Sequence, residues 1–267
     1  MKNILLLVHG DAGQEARLQC ALDLTRALGG HLRCLDVALR PATFAAPYDG
    51  LALGVLLEDE ERHEFANKQR LQARLAKEDV PWSWDDVTGE FENELREAAR
   101  LADVIVVNRA LRDDYPAMRR VASDLIIKAR RPILAVPEDA RKLDLFGHAL
   151  VAWDGSTAAS AALLAAVPLL RLAEQVTVLQ IDDGSIDTQA EEAGAYLSRE
   201  AIEARIVKIA PEGRSVGDIL IEAVARYGAG YMVMGGFGHA RLLEAIFGGA
   251  TRFMLSQSPV PLLVVHE

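Results

Sequence analysis

Ala229-Gly230-Tyr231-Met232-Val233-Met234 runs directly into Gly235-Gly236-Phe237-Gly238, and its first six positions line up with an earlier stretch, Ala102-Asp103-Val104-Ile105-Val106-Val107. Both are short apolar runs of the kind that make strands buried on two faces. A second pair follows in the same order: Pro132-Ile133-Leu134-Ala135-Val136 lines up with Pro261-Leu262-Leu263-Val264-Val265. Two recurrences in one order mark the chain as a doubled unit.

Working outward, short apolar runs alternate with longer amphipathic stretches. In the first half Ile4–Val8 reads as a strand. Gln14–Leu28 reads as a helix stopped by Gly29-Gly30. His31–Val37 reads as a strand, and Ala38–Leu57, with Pro41, Pro47, Gly50 and Gly54, as an irregular segment. Glu58–Lys77 is helical with an acidic start that suits a helix N-terminus. Val80–Val87 is a strand, Glu90–Arg100 a helix, Val104–Val107 a strand, Ala117–Arg130 a helix and Ile133–Val136 the last strand. The second half repeats this order. Strands are expected at Ala149–Trp153, Val176–Ile181, Arg205–Ile209, Tyr231–Met234 and Leu262–Val265. Helices are expected at Thr157–Leu170, Thr188–Glu200, Val216–Tyr227 and Gly249–Gln257. Alternation of this kind implies α/β architecture, with parallel strands covered by helices on both faces. The division falls near the charged stretch Glu138–Leu145, giving domains at residues 1–138 and 146–267.

Composition narrows the function. Of 267 residues 51% are hydrophobic, enough for packed cores. The net charge of -10 repels nucleic-acid phosphates, so DNA and RNA are not expected partners. A small anion is still admissible, because backbone N–H groups at a helix start bind one locally. Cys20 and Cys34 read as small buried hydrophobes, without disulfide or metal spacing. The start has no signal-peptide pattern and no apolar run is long enough to span a membrane, so a cytoplasmic protein without membrane partners is expected.

The chemistry is concentrated after Tyr231–Met234. The sequence there is Gly235-x2-Gly238-x9-Gly248, between a strand and a helix. Glycines let backbone approach a ligand closely. A helix start offers unpaired N–H groups and the positive end of its dipole, so the arrangement can hold phosphate oxygens without a lysine. A tight strand–helix connection is the competing reading. Asp154, in Trp153-Asp154-Gly155-Ser156, is either a ligand contact or a turn residue. Ser156 or Thr157 reads as an N-cap before it reads as a nucleophile.

Together, the glycine spacing, Asp154 after the half's first strand, and Pro261 before its last resemble the universal stress protein family. The likeness extends over both halves. It implies a tandem pair of doubly wound, five-stranded parallel sheets of the adenine-nucleotide alpha hydrolase-like kind, packed as an intramolecular pseudo-dimer. The last strands would pair across its axis and cover each other's edges. A further homodimer, with Ala38–Leu57 contributing, is also open. The resemblance implies that Asp154 and the backbone near Ile181 flank a nucleoside, with Met234 also at the nucleotide site. It puts Gly235, Gly238, Gly248, Gly249 and Thr251 on the phosphate side. The implied ligand is ATP or a related adenine nucleotide, with magnesium if it is ATP. Gly249 departs from the family's Ser or Thr and lacks that hydroxyl.

The first half has lost the signature. Asn108 takes the place of Gly235, Leu111 lies near that of Gly238, and Arg119 and Arg120 replace Gly248 and Gly249. Asp11 could stand in for Asp154. Arg109, Arg112, Arg119, Arg120, Lys128, Arg130 and Arg131 form a basic stretch, read as a solvated face or as an anion or protein-partner patch. No Walker A lysine, Gly-x-Ser-x-Gly elbow or helical His pair occurs, so fast ATP turnover has no support in the sequence. His239 and Arg241 lie in the glycine loop. The expected function is a stress-response protein that binds nucleotide in its second half and acts as a switch or partner-binding module. A non-binding structural member of the same family is the alternative, and a nucleotide-transfer enzyme a more remote one.

Overall fold

The computed structural model describes residues 1–39, 50–89, 91–108, 125, 129–184, 186–236 and 249–266. The strands are β1 (Asn3–Val8), β2 (His31–Leu39), β3 (Trp82–Gly89), β4 (Val104–Asn108), β5 (Ile133–Val136), β6 (His148–Trp153), β7 (Gln175–Ile181), β8 (Ala204–Ile209), β9 (Ala229–Gly235) and β10 (Leu262–Val265). The helices with described bounds are α1 (Gln14–Leu28), α2 (Gly50–Leu75), α3 (Phe91–Ala99), α4 (Thr157–Leu170), α5 (Ala190–Arg199), α6 (Val216–Tyr227) and α7 (Gly249–Gln257).

All ten strands form one sheet, in the order β3-β2-β1-β4-β5-β10-β9-β6-β7-β8. Each half supplies five parallel strands, and the two fives are mirror-ordered about the centre. There β5 and β10 pair antiparallel, with Leu134 opposite Leu263. The expected pseudo-dimer is thus built by the last strands closing each other's edges. Antiparallel pairing at the joint is what a two-fold axis requires.

The reason these strands lie in the interior is visible in their residues. β4, β5 and β10 are buried at every position. Alternate side chains feed two cores, one on each face of the sheet. Leu134, Val136, Leu263 and Val265 join one core with α1 and α4. Ile133, Ala135, Leu262 and Val264 join the other with α3, α6 and α7. Both cores run without a break from one half to the other. The outermost strands are more polar: β8 has no fully buried residue. Charged side chains there discourage edge-to-edge pairing.

Helix ends follow local chemistry. α1 stops at Gly29, whose φ of 56° puts it in the left-handed region, and its N–H returns to the Arg26 and Thr25 carbonyls. α4 starts at Ser156, whose Oγ accepts from the Ala159 N–H at 3.1 Å, the capping role expected for this position. Cys20 and Cys34 are buried thiols, pushed up to about 12 by burial.

One expectation is corrected. Gly50–Leu57 is the first part of α2, not irregular chain. Leu51-Ala52-Leu53 and Val55-Leu56-Leu57 are tolerable to strong helix formers, and the cost of Gly54, about 1 kcal/mol, is spread over a long helix. Residues 40–49 and the greater part of the expected helix Ala117–Arg130 lie outside the described residues. The charged stretch between the halves is packed. Leu143 and Leu145 are buried, and the Leu143 N–H donates to Asp23 of α1 at 3.0 Å. No described helix is long and apolar enough to cross a membrane.

Candidate functional site

In the second half the chain goes from β6 outward to β7 and β8, then returns to the other side of β6 for β9. The connections leaving β6 and β9 therefore diverge, and a crevice opens at their C-terminal ends. Ligands of open α/β sheets bind at such a switch point. A cavity of about 540 Å³ occupies it, within the usual range for small-molecule sites.

The expected residues converge here. Asp154 from the end of β6, Ile181 from β7, Met234 and Gly235 from β9, and Gly249 and Thr251 from α7 all line the cavity. Gly238 and Gly248 lie outside the described residues, as do His239 and Arg241. Ile181, Met234 and Thr251 are buried, whereas Gly249 is exposed. Ala152, Leu179, Leu220 and Phe253 add apolar wall.

Two of these residues have structural duties as well. The Asp154 carboxylate accepts from the Ser156 N–H at 3.0 Å and from the Ser156 hydroxyl at 2.7 Å, so it orders the turn into α4. Gly235 meets the first turn of α4 closely. A Cβ there would lie 2.6 Å from the Ala159 nitrogen and 2.8 Å from the Ala158 carbonyl carbon. Strand–helix packing is by itself sufficient reason for glycine at 235. Past it, the loop is anchored twice. The Gly236 N–H donates to the Val265 carbonyl, and the His266 ring Nδ1 lies 2.8 Å from the Gly236 carbonyl.

Two helix starts face the cavity, and they differ in charge. α6 is capped by Ser215, which accepts from the Asp218 N–H at 3.1 Å, and Asp218 places a carboxylate in its first turn. α7 has no acidic residue in its first turn. Gly249 and Ala250 line the cavity from that end, so the positive end of α7 reaches the cavity without a carboxylate on its own first turn. Sequence reading missed Asp183, Ser215, Gly217 and Phe253. Only the Ser215-x2-Asp218 spacing, a capping pattern, hinted that a helix would start nearby. Gly217 is required by packing, since a Cβ there would come within 2.3 Å of the Phe253 ring.

In the first half the described residues at the ends of β1 and β4 are tied together by an arginine. Arg17 of α1 is fully buried and donates five times. Its Nε reaches the Leu7 carbonyl at 2.7 Å and its Nη2 the His9 carbonyl at 3.1 Å. The Asp11 carboxylate accepts from both terminal nitrogens, and the Asn108 side-chain oxygen accepts from Nη1. Burial lowers the Arg17 pKa, and Asp11 opposes that shift. Asp11, the expected counterpart of Asp154, is thus committed to an internal cation. The close strand–helix contact is kept with its partners exchanged. Here Asn108 is on the strand, and a Cβ on Gly13, before α1, would lie 2.6 Å from its amide. Of the basic stretch, Arg109, Arg112, Arg119, Arg120 and Lys128 lie outside the described residues, and Arg131 donates to the Arg100 carbonyl.

Residues 146–266 match the universal stress protein family. No curated protein sequence matches the chain. A universal stress protein from Archaeoglobus fulgidus DSM 4304 has a similar structure, with a TM-score of 0.74 and 16% identity. That match covers 99% of this chain and 96% of the other. A functionally unknown protein from Pseudomonas aeruginosa PAO1 gives 0.60 at 15% identity, covering 100% and 92%. The cytoplasmic domain of a prokaryotic cation chloride cotransporter gives 0.50 at 12%, covering 98% and 94%. At these identities the likeness is one of fold.

Proposed function

We propose, from the membership of residues 146–266 in the universal stress protein family, that the second half binds ATP or a related adenine nucleotide. The protein would then act as a switch or partner-binding module in a stress response. The observation that carries the reading is the cavity at the β6/β9 switch point, which gathers Asp154, Ile181, Met234, Gly235, Gly249 and Thr251 from four separate segments. A nucleoside fits the apolar part beside Ile181 and Leu179. Phosphates then lie toward Gly249 and the start of α7; Gly238 and Gly248, which the resemblance also assigns to them, lie outside the described residues. Magnesium would enter with the phosphates.

The first half supplies no second site in this reading: Asn108 stands where Gly235 does, and Asp11 is engaged by Arg17. One nucleotide per chain is the expected stoichiometry. Mass spectrometry of the supernatant after denaturing the purified protein should show an adenine nucleotide, and calorimetry on stripped protein should give one site. Two equivalent sites would overturn the reading of the first half as having lost its site. No bound nucleotide and no heat of binding would favour a structural member of the family that has lost affinity with the hydroxyl at position 249.

A further inference from the structure

Trp153 is the last residue of β6, and it is 5% exposed. Its indole N–H crosses to the β7–α5 connection and donates to the Thr188 carbonyl at 2.8 Å. Two further contacts join the same segments. The Asp187 N–H donates to the Asp154 carbonyl at 3.3 Å. A Cβ on Gly155, whose φ is +73°, would lie 2.1 Å from the Thr188 nitrogen, so the two backbones touch. Residues 186–188 are therefore laid across the turn that carries Asp154.

The other end of this connection enters the cavity. Asp183 lines it, two residues beyond Ile181. Next to α5, the Ala190 N–H is satisfied by the buried Gln180 side chain at 2.8 Å, which fixes where the connection ends. The connection is thus held at β7, at α5 and, between them, at Trp153. None of these contacts involves β9 or α7.

We infer that Trp153 is a positioning residue for the nucleoside side of the site. Through Thr188 and Asp187 it sets the backbone that presents Asp154 and Asp183 to the ligand. The phosphate side, built on β9 and α7, takes no part in these hydrogen bonds. The inference rests on the nucleotide reading above, and it assigns each side of the cavity to a separate support. The indole N–H to carbonyl bond is neutral and mostly enclosed. A bond of that kind contributes about 0.5–1.5 kcal/mol, which corresponds to about two- to tenfold in affinity.

The test compares wild type with Trp153→Phe, which keeps an aromatic ring and removes the donor. A second variant substitutes Trp153 with its benzothiophene isostere, which preserves shape. Calorimetry measures ATP, adenosine and inorganic tripolyphosphate in each protein. Hydrogen exchange measures the amides of residues 186–190 without ligand. The expected result is faster exchange at those amides, ATP and adenosine weakened about two- to tenfold by the same factor, and tripolyphosphate unchanged. Equal weakening of all three would show a general structural role and overturn the inference. Unchanged exchange in both variants would overturn it as well. If the wild type binds none of the three, the nucleotide reading fails, and the exchange data still decide whether Trp153 holds the connection.

Discussion

Gly249→Ser restores the hydroxyl that this chain lacks at the start of α7, and the structure allows it. Among the described residues, a Cβ at position 249 would meet nothing within 4 Å, and the residue is not among the glycines with positive φ. The substitution is therefore unstrained, unlike one at Gly235 or Gly217. A hydroxyl donating to a charged phosphate contributes about 1.5–3 kcal/mol, or about 10- to 100-fold in affinity. Because Gly249 is exposed, water competes for the bond, and the lower end, about tenfold, is expected. Gly249→Ala is the control, since it adds the Cβ and reduces backbone freedom without adding a donor. Calorimetric titration with ATP, at matched salt and magnesium, should show the serine variant tighter than both wild type and the alanine variant. If serine and alanine variants bind alike, phosphate does not lie at the start of α7.

Gly235→Ala forces a methyl group against the backbone of Ala158 and Ala159, which cannot move without displacing α4. Overpacking of this kind costs about 1–3 kcal/mol, and a lowered denaturation midpoint with or without nucleotide checks it. Arg17→Met leaves the Asp11 carboxylate without its buried cation and removes the donors to Asn108 and to the Leu7 and His9 carbonyls. A loss of about 3–5 kcal/mol is expected in chemical denaturation, and near wild-type stability would show that Arg17 is dispensable. Asp36 of β2 is pushed up to about 6 by burial and by Asp86, with Lys68 opposing. The contribution of its neutral form is fully present below its unfolded value of about 3.9 and is lost as pH rises through about 6. Asp36→Asn should therefore be more stable than wild type above pH 7 and equal to it near pH 4, and thermal melts giving one offset at both pH values would refute this.

The strands were legible because fully buried parallel strands leave a local signature. Val104–Val107 and Leu262–Val265 are apolar at every position, and runs this short read as strands rather than helices. The joint between β5 and β10 was legible for the same reason, since an apolar last strand with a bare edge needs a partner. The start of α2 was not. Pro41, Pro47, Gly50 and Gly54 signal a break, but Gly50 is only the first residue of the 26-residue helix, and the cost of one interior glycine is spread over its length. Arg17 was hidden because a charged residue on a helix ordinarily faces solvent. What buries it is the return of Leu7, His9 and Asp11 onto the same spot, a fact of three dimensions. Gly217 and Asp183 reach the cavity by topology, from segments whose sequences carry no phosphate or nucleoside pattern, whereas Phe253 lies just past the glycine motif, on the helix that follows it.

The joint between β5 and β10 also bears on what mutation can do in this molecule. In a symmetric dimer of identical chains, any substitution is made twice. An arginine that closed one pocket would close both. Here the two copies are joined by peptide bonds, and the pairing of Leu134 with Leu263 holds at any dilution, since the halves cannot separate by diffusion. Each half is then free to drift alone while still serving as the other's scaffold. Arg17 could engage Asp11 in one half without consequence for the other, where Asp154 orders a turn beside an open cavity.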